Sequence, residues 1–310
     1  MTRPFDHVVV VFNPKSTGHA QRAAEDLAQD LAGRVPRLPV QLRATQYAGH
    51  AREIARDTAT CGGALIVSVS GDGGYNEVVN GVMDSGPATA VTAVFAAGNA
   101  NDHRRATGHQ PLAEAITAGT TRPLDLLRLT LNSTTPAGGV EASLGAGVGT
   151  TPGTGVHYAH SYIGLGISPS VAVALTGAAK GSVREILTTI RAWAHFHPVA
   201  LLTDHGREDF DSLIFANITG MAKYVTLTDN SHPDDGHFEV VALRHTARWR
   251  LAGTALRATS RGLGTQPTTQ HYRFHTLAPT PVQLDGELLT LPTTTPVSID
   301  IVPAALQTLG

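Results

Sequence analysis

The chain has 310 residues, of which only 15% are charged, with a formal net charge of −2. Its length sets a prior of two domains, and 42% hydrophobic residues exclude a disordered tail. The near-neutral balance argues against a dedicated nucleic-acid binder, and the single cysteine, Cys61, excludes an internal disulfide framework or a multi-cysteine zinc site. No apolar run approaches the roughly 18 residues of a membrane span. Val8–Phe12 is too short for the apolar region of a signal peptide. These features predict a soluble, cytoplasmic, two-domain protein.

In chain order, Val8–Phe12 reads as a strand buried on both faces. Residues 19–32 carry Ala20, Ala23, Ala24, Leu27 and Leu31 at helical spacing. Val40–Arg43 predicts a second strand and residues 49–59 a second helix. Ala64–Val69 is a third strand, residues 75–83 a helix, and Val91–Phe95 a fourth strand. Strands alternating with helices predict crossover connections and a parallel sheet. After about residue 128 the pattern changes to short β-like stretches: Leu126–Leu131, His157–Gly164, Val199–Leu202, Leu213–Thr219, Glu239–Leu243 and Val282–Leu284. Helical stretches at 181–195 and 245–261 interrupt them. This is the pattern of an antiparallel, sandwich-like β domain. Residues 132–155, rich in Gly, Thr and Pro, predict a long loop.

Three Gly/Asn-rich turns follow successive strands of the first half: Asn13–Gly18, Gly71–Gly74 and Gly98–Asp102. In parallel sheets, ligands sit outside the carboxyl ends of the strands. Glycines let backbone N–H groups converge on an anion, and a following helix N-terminus adds a favourable dipole. Asp72 and Asp102 at adjacent strand ends add acids that make sense beside phosphate if magnesium bridges the two. One Gly-Asp-Gly alone is an ordinary tight turn. Three such turns in register predict a phosphate site.

The segments Asn13-Pro14-Lys15-Ser16-Thr17-Gly18, Ser70-Gly71-Asp72-Gly73-Gly74-Tyr75-Asn76-Glu77-Val78-Val79-Asn80-Gly81 and Gly98-Asn99-Ala100-Asn101-Asp102 resemble the signatures of the diacylglycerol kinase catalytic family. That lipid-kinase group includes sphingosine and ceramide kinases. The later segments Tyr162–Gly166, Asn217–Gly220, Asp234–Val241, Asp285-Gly286-Glu287 and Pro303–Leu306 are similar to family landmarks in the same order. The resemblance implies a Rossmann-like N-terminal nucleotide domain, residues 1–128 with 296–310 returning to it through a strand at Val297–Val302. It implies a C-terminal antiparallel β-sandwich lipid domain, residues 129–295. ATP phosphates would sit on Asn13–Gly18 and on Gly71–Asn76, with Glu77, Gly98, Asn99 and Asn101 beside them and Thr45 touching the nucleotide. Asp72, Asp102 and Asp125 match acids linked to magnesium through water. Asp235 matches a structural magnesium ligand, with backbone carbonyls near His232 and His237. The Asp-Gly-Glu segment would supply the base, Glu287 first and Asp285 second.

Three positions depart from the family pattern: Gly74 and Asn99 stand where threonines are usual, and Ser70 replaces a glycine. A lost hydroxyl removes a charge-assisted hydrogen bond of roughly 1.5–3 kcal/mol. Gly145-Ala-Gly147-Val-Gly149 mimics a dinucleotide fingerprint, but Pro152 and Gly153 follow where a helix should open. His195 and His197 read as partners of a helix C-terminus, and Trp193 and Phe196 as helical core. His103 stands where it could stack on a nucleotide, and Cys61 reads as a small buried residue. Arg244, Arg248, Arg250, Arg257 and Arg261 surround Trp249; the choice lies between a solvated helix face and docking to an anionic membrane. The expected function is an ATP- and magnesium-dependent lipid kinase acting on diacylglycerol or a sphingoid or ceramide lipid, cytoplasmic or peripheral at the inner membrane face. The alternatives are an NAD kinase-like enzyme and a binding-only pseudokinase.

Overall fold

The computed structural model describes residues 3–16, 19–86, 90–98, 100–108, 110–132, 155–167, 198–221 and 225–309. Thr17, Gly18, Asn99, the 181–195 helix with Trp193, His195, Phe196 and His197, and the Gly145–Gly149 pattern lie outside the described residues. The elements run β1 (His7–Phe12), α1 (Ala20–Arg34), β2 (Val40–Ala44), α2 (His50–Cys61), β3 (Ala64–Ser70), α3 (Asp72–Asp84), β4 (Val91–Ala96), α4 (Asp102–Thr107), α5 (Leu112–Ala118) and β5 (Thr121–Leu131). They continue as β6 (Val156–Ala159), β7 (Tyr162–Gly166), β8 (Val199–Thr203), β9 (Gly206–Ala216), β10 (Gly220–Met221), β11 (Val225–Thr226) and β12 (Phe238–Arg244). Last come α6 (Arg248–Ser260), β13 (Thr268–Thr269), β14 (His271–Thr276), β15 (Thr280–Leu284), β16 (Glu287–Leu291) and β17 (Pro296–Leu309). These fall into two compact units. The first holds the described residues of 1–126, 139–160 and 302–310, and the second those of 127–138 and 161–301.

The first unit is an α/β layer structure. Its strands lie in the order β2-β1-β3-β4, all parallel, and the end of β17 adds to β4 in parallel, Gln307 opposite Val91. Alternate residues of the strands feed two cores. Val8, Val10, Phe12, Leu65, Val67 and Val69 pack against α1 and α5. Val9, Val11, Ala64 and Ile66 pack against α2 and α3, where Ile54, Tyr75, Val78 and Val79 are buried. Burial on both faces explains why these strands read as unbroken apolar runs.

Helix α3 starts at Asp72, three residues before the expected position, with Gly71 extended as its N-cap. The Gly-Asp-Gly segment is therefore the first helical turn, not a free loop. Two short helices, α4 and α5, follow β4 without a clear sequence signal. Cys61 is exposed, not buried, because it is the last residue of α2, where the chain turns at Gly62.

The second unit is antiparallel. β9 pairs with β12 on one side and with β7 and then β8 on the other. β15 joins β7 to β16, and β14 joins β8 to the first half of β17. Phe215 centres an aromatic core with Phe238 at 5.8 Å and Tyr272 at 5.0 Å. The expected single stretch His157–Gly164 is two strands, β6 and β7, and β9 starts seven residues earlier than Leu213.

Candidate active site

The strand order places a topological switch between β1 and β3, since the chain leaves β1 for β2 on one side and β3 for β4 on the other. The carboxyl ends of strands at such a point splay apart and leave a crevice. A cleft of about 350 Å³ lies there, lined by the end of β1 (Phe12, Asn13, Lys15), the segment after β2 (Thr45–Ala48), Ser68 and Ser70 of β3, and Gly74 and Glu77 of α3. Five of the residues expected at a nucleotide, Asn13, Lys15, Thr45, Gly74 and Glu77, are thus brought together. Asn13 shapes the β1 turn: its side-chain oxygen accepts from the Lys15 N–H at 2.9 Å and its carbonyl from the Ser16 N–H at 3.1 Å. Pro14 lies within that turn. The Thr45 N–H donates to Phe12 O, which carries the β1–β2 ladder to the cleft rim.

Sequence reasoning missed Tyr47. It is 55% exposed, stacks on His50 at 4.6 Å, and its hydroxyl donates to Glu53. An aromatic ring held at a cleft rim offers a planar surface for a base. The only sequence signal was its position two residues after Thr45.

Glu77 has a second task. Backbone N–H groups of Gly49, Ala51 and Arg52 at the start of α2 hydrogen-bond to its carboxylate. Burial outweighs these bonds and raises its pKa. Asn76 is buried, and its amide donates to Tyr158 O at 2.8 Å, with Asn80 bonding both. That network ties β6 to α3.

The two glycine turns at β3 and β4 meet backbone to backbone. A Cβ on Gly98 would lie 2.5 Å from the Gly71 Cα, so no side chain fits there. Asn101, at φ 52, accepts from the Gly98 N–H at 3.0 Å and donates back to Gly98 O at 2.6 Å. Asp72 sits between the turns and caps α4: its carboxylate accepts from the N–H groups of Asp102 at 3.0 Å and His103 at 3.1 Å. Asp102 is buried and pairs with Arg105. Asp125 is buried and accepts from the Ala304 N–H at 2.8 Å. Among the described residues, no three His, Cys, Asp or Glu side chains gather closely enough to hold a metal. Each Asp72 oxygen already takes one N–H bond, so its remaining lone pairs fit a magnesium ion reached through water.

Ser70 and Gly74 prove to be one coupled departure. A Cβ at residue 74 would lie 2.7 Å from Ser70 Cβ and 2.8 Å from its Oγ, so serine at 70 requires glycine at 74. The Ser70 hydroxyl donates to Gly71 O at 2.9 Å, which leaves the Ser68 hydroxyl as the donor in the 2.7 Å Ser68–Ser70 contact. The cleft therefore keeps hydroxyls on its β3 wall although residue 74 supplies none.

His103 does not face the cleft. It is 2% exposed and packs on Tyr75 at 5.0 Å and His160 at 4.5 Å. Burial first, then His160, Arg122 and Arg104, hold its imidazole well below the usual 6.5. It folds neutral, whereas the unfolded chain takes up a proton below about pH 6.5. Its contribution is present above that pH and falls as the pH drops, by up to about 1.4 kcal/mol per pH unit. Urea unfolding at pH 7.5 and 5.5 should show this loss in the native chain and a flatter profile in His103→Phe. An equal loss in the variant would refute the assignment.

In the second unit, Asp285 is fully buried at φ 49 in the β15–β16 turn. Its Oδ1 accepts from the N–H groups of Ser161 at 3.0 Å and Tyr162 at 2.9 Å. Glu287, opposite Leu284, begins β16 half-buried. The Asp235 carboxylate accepts from the His237 N–H at 2.9 Å, and the His237 ring bonds Asp235 O. His232 lies three residues before Asp235 in the same segment. Glu239 was missed by sequence reasoning. It is 1% exposed, and the buried Ser231 hydroxyl faces its carboxylate. Burial and the Asp235 charge raise its pKa. A buried carboxylate beside a second acid fits a cation at the 232–237 segment.

Residues 7–129 match the model of the Diacylglycerol kinase catalytic domain family. No curated protein matches the chain. A solved structure described as a diacylglycerol kinase from Bacillus anthracis str. Sterne is 19% identical, with 100% of this chain and 98% of that chain covered and a TM-score of 0.69. A second, described as "A putative diacylglycerol kinase" from the same strain, is 20% identical, with 98% and 97% covered and a TM-score of 0.70. At such identities the likeness establishes the fold across both units. Residues 7–129 thus match the diacylglycerol kinase catalytic domain model, within a chain that has the fold of these bacterial structures throughout.

Proposed function

We propose that the chain is an ATP-dependent lipid kinase that phosphorylates a hydroxyl of diacylglycerol or of a sphingoid or ceramide lipid, in a cytoplasmic setting. The observation that carries this reading is the cleft at the β1/β3 switch point, where Asn13, Lys15, Thr45 and Gly74 line one space. Lys15 supplies a cation to the phosphates, and the N-terminus of α3 adds its positive dipole end. Thr45 and the Tyr47 ring hold the nucleoside side. The paired Gly71 and Gly98 backbones set the turns that carry Asp72 and Asp102. Asp72, Asp102 and Asp125 would hold magnesium through water, and the ion would neutralise phosphate charge. Asp235, with the carbonyls of His232 and His237 and the Glu239 carboxylate nearby, would hold a second, structural magnesium. In the transfer, the lipid hydroxyl oxygen bonds the γ-phosphorus, the bond to the β–γ bridging oxygen breaks, and ADP leaves. Glu287 takes the hydroxyl proton.

Incubation with γ-labelled ATP, magnesium, and either diacylglycerol, sphingosine, ceramide or NAD tests the reading. Labelled lipid is the expected product. Label only in NAD would move the chain to the NAD kinases, and ATP binding without any product would make it a pseudokinase.

A further inference from the structure

Helix α6 turns an apolar crest outward. Leu251 and Ala258 face inward and are buried. On the opposite side, Trp249 is 72% and Leu256 61% exposed, seven residues and so two turns apart. Gly253, exposed between them, places no side chain in the gap. Two large apolar groups aligned on the outer meridian invert the ordinary rule for a surface helix, whose outermost positions are polar.

Along the chain the charge around this crest has one sign, although Asp229 comes near its end, with Oδ1 3.6 Å from where a Cβ at Gly262 would lie. From Val240 to Leu284 the sequence holds no Asp, Glu or Lys; its fixed charges are all arginine, in a chain of formal net charge −2. Arg250 and Arg257 are exposed and fall at 80–100° from Trp249 at about 100° per residue, along one flank of the crest, and the exposed Arg261 follows as the C-cap of the helix. The Arg250 guanidinium lies 5.1 Å from the Trp249 ring centroid. Arg244 is excluded from this patch, because Glu208 already neutralises it at 2.7 Å.

We propose that this face of α6 docks the protein onto an anionic bilayer. A tryptophan at a crest suits the headgroup layer, where its ring is buried and its N–H stays wet. Leu256 adds a second apolar insertion, and the arginine flank meets acidic headgroups. The occupant is a membrane and not a protein groove because the apolar element is two side chains on a convex ridge, while the attraction is diffuse and mainly from arginine. The proposal deepens the lipid-kinase reading and rests on it for the purpose of docking, which is to bring the enzyme to a bilayer-held substrate.

Co-sedimentation with vesicles of phosphatidylcholine alone, or with 30% phosphatidylglycerol at about that level, tests it directly. The native chain should bind only the phosphatidylglycerol vesicles and release in high salt. The pair Trp249→Ser/Leu256→Ser and the triple Arg250→Gln/Arg257→Gln/Arg261→Gln should each weaken binding, the triple by roughly a hundredfold at about a factor of five per arginine. Unchanged thermal melts would show that these exposed changes leave the fold intact. Failure of the native chain to bind, or equal binding by both variants, would overturn the proposal. So would concentration-dependent self-association that the serine pair abolishes, since the crest would then meet a second copy. Turnover on a short-chain, monodispersed acylglycerol should be the same in native and variant chains; a parallel loss there would also overturn the docking role. If the native chain binds vesicles but phosphorylates nothing, the kinase reading fails and the docking surface stands.

Discussion

Glu287→Gln should lower turnover by about 10²–10⁴ with nucleotide binding and thermal stability unchanged, while Asp285 should answer to a different measurement. Asp285 is buried and holds two backbone N–H groups of β7 and its preceding residue. In Asp285→Ala both donors lose their acceptor inside the protein, at about 1–3 kcal/mol each, so the variant should lose roughly 3–5 kcal/mol in urea unfolding. Asp285→Asn keeps an oxygen in the same place. Asparagine also tolerates the positive φ of 49 better than alanine does, so this variant should lose only about 1–2 kcal/mol. Turnover in Asp285→Asn should remain within tenfold of the native chain. A collapse of turnover in Asp285→Asn at intact stability, with Glu287→Gln active, would exchange the two roles.

The second large effect is a rescue. Gly74→Thr places a Cβ 2.7 Å from the Ser70 Cβ, and overpacking of that kind costs typically 1–3 kcal/mol. The threonine would also push into the cleft wall, so nucleotide affinity should fall at least tenfold. Ser70→Gly alone removes the Ser68–Ser70 contact and leaves the β3 wall one hydroxyl poorer. Combined, the two changes relieve the clash and restore a hydroxyl from the opposite position. Stability and affinity of the double variant should return to near the native values, giving a coupling energy above about 1 kcal/mol in a double-mutant cycle. Additive losses would mean that the two sites are independent and that the chain tolerates threonine by a backbone shift.

The parallel half of the fold was legible because β1 and β3 are buried on both faces and so appear as continuous apolar runs. The antiparallel half was read in fragments. β9 opens with Gly206-Arg-Glu-Asp, a polar run that hides the strand. β14, His271–Thr276, buries only Phe274 and Thr276, too few positions to signal a strand. The glycine turns pointed to the cleft, but not to how their acids are engaged. Asp72 bonds α4 thirty residues away, and Asp285 bonds Ser161 across 124 positions. Such pairings carry no local periodicity. For the same reason the Ser70 and Gly74 departures read as separate until the distance between them showed a single exchange. Glu239 lies within β12, and its burial beside Asp235 follows from packing that sequence does not encode.

The final strand carries a consequence for how the protein is made. β17 begins antiparallel to β14 and ends parallel to β4, where the Thr308 hydroxyl reaches Thr92 O across 216 positions. On the ribosome, β4 emerges early and must wait for nearly the whole remaining chain before its outer edge finds a partner. Until then the nascent parallel sheet exposes a row of unpaired backbone groups, a template for pairing with other chains. Synthesis that stalls after Ile301 would release a product with the β4 edge bare, and such a product should be a strong client for chaperones.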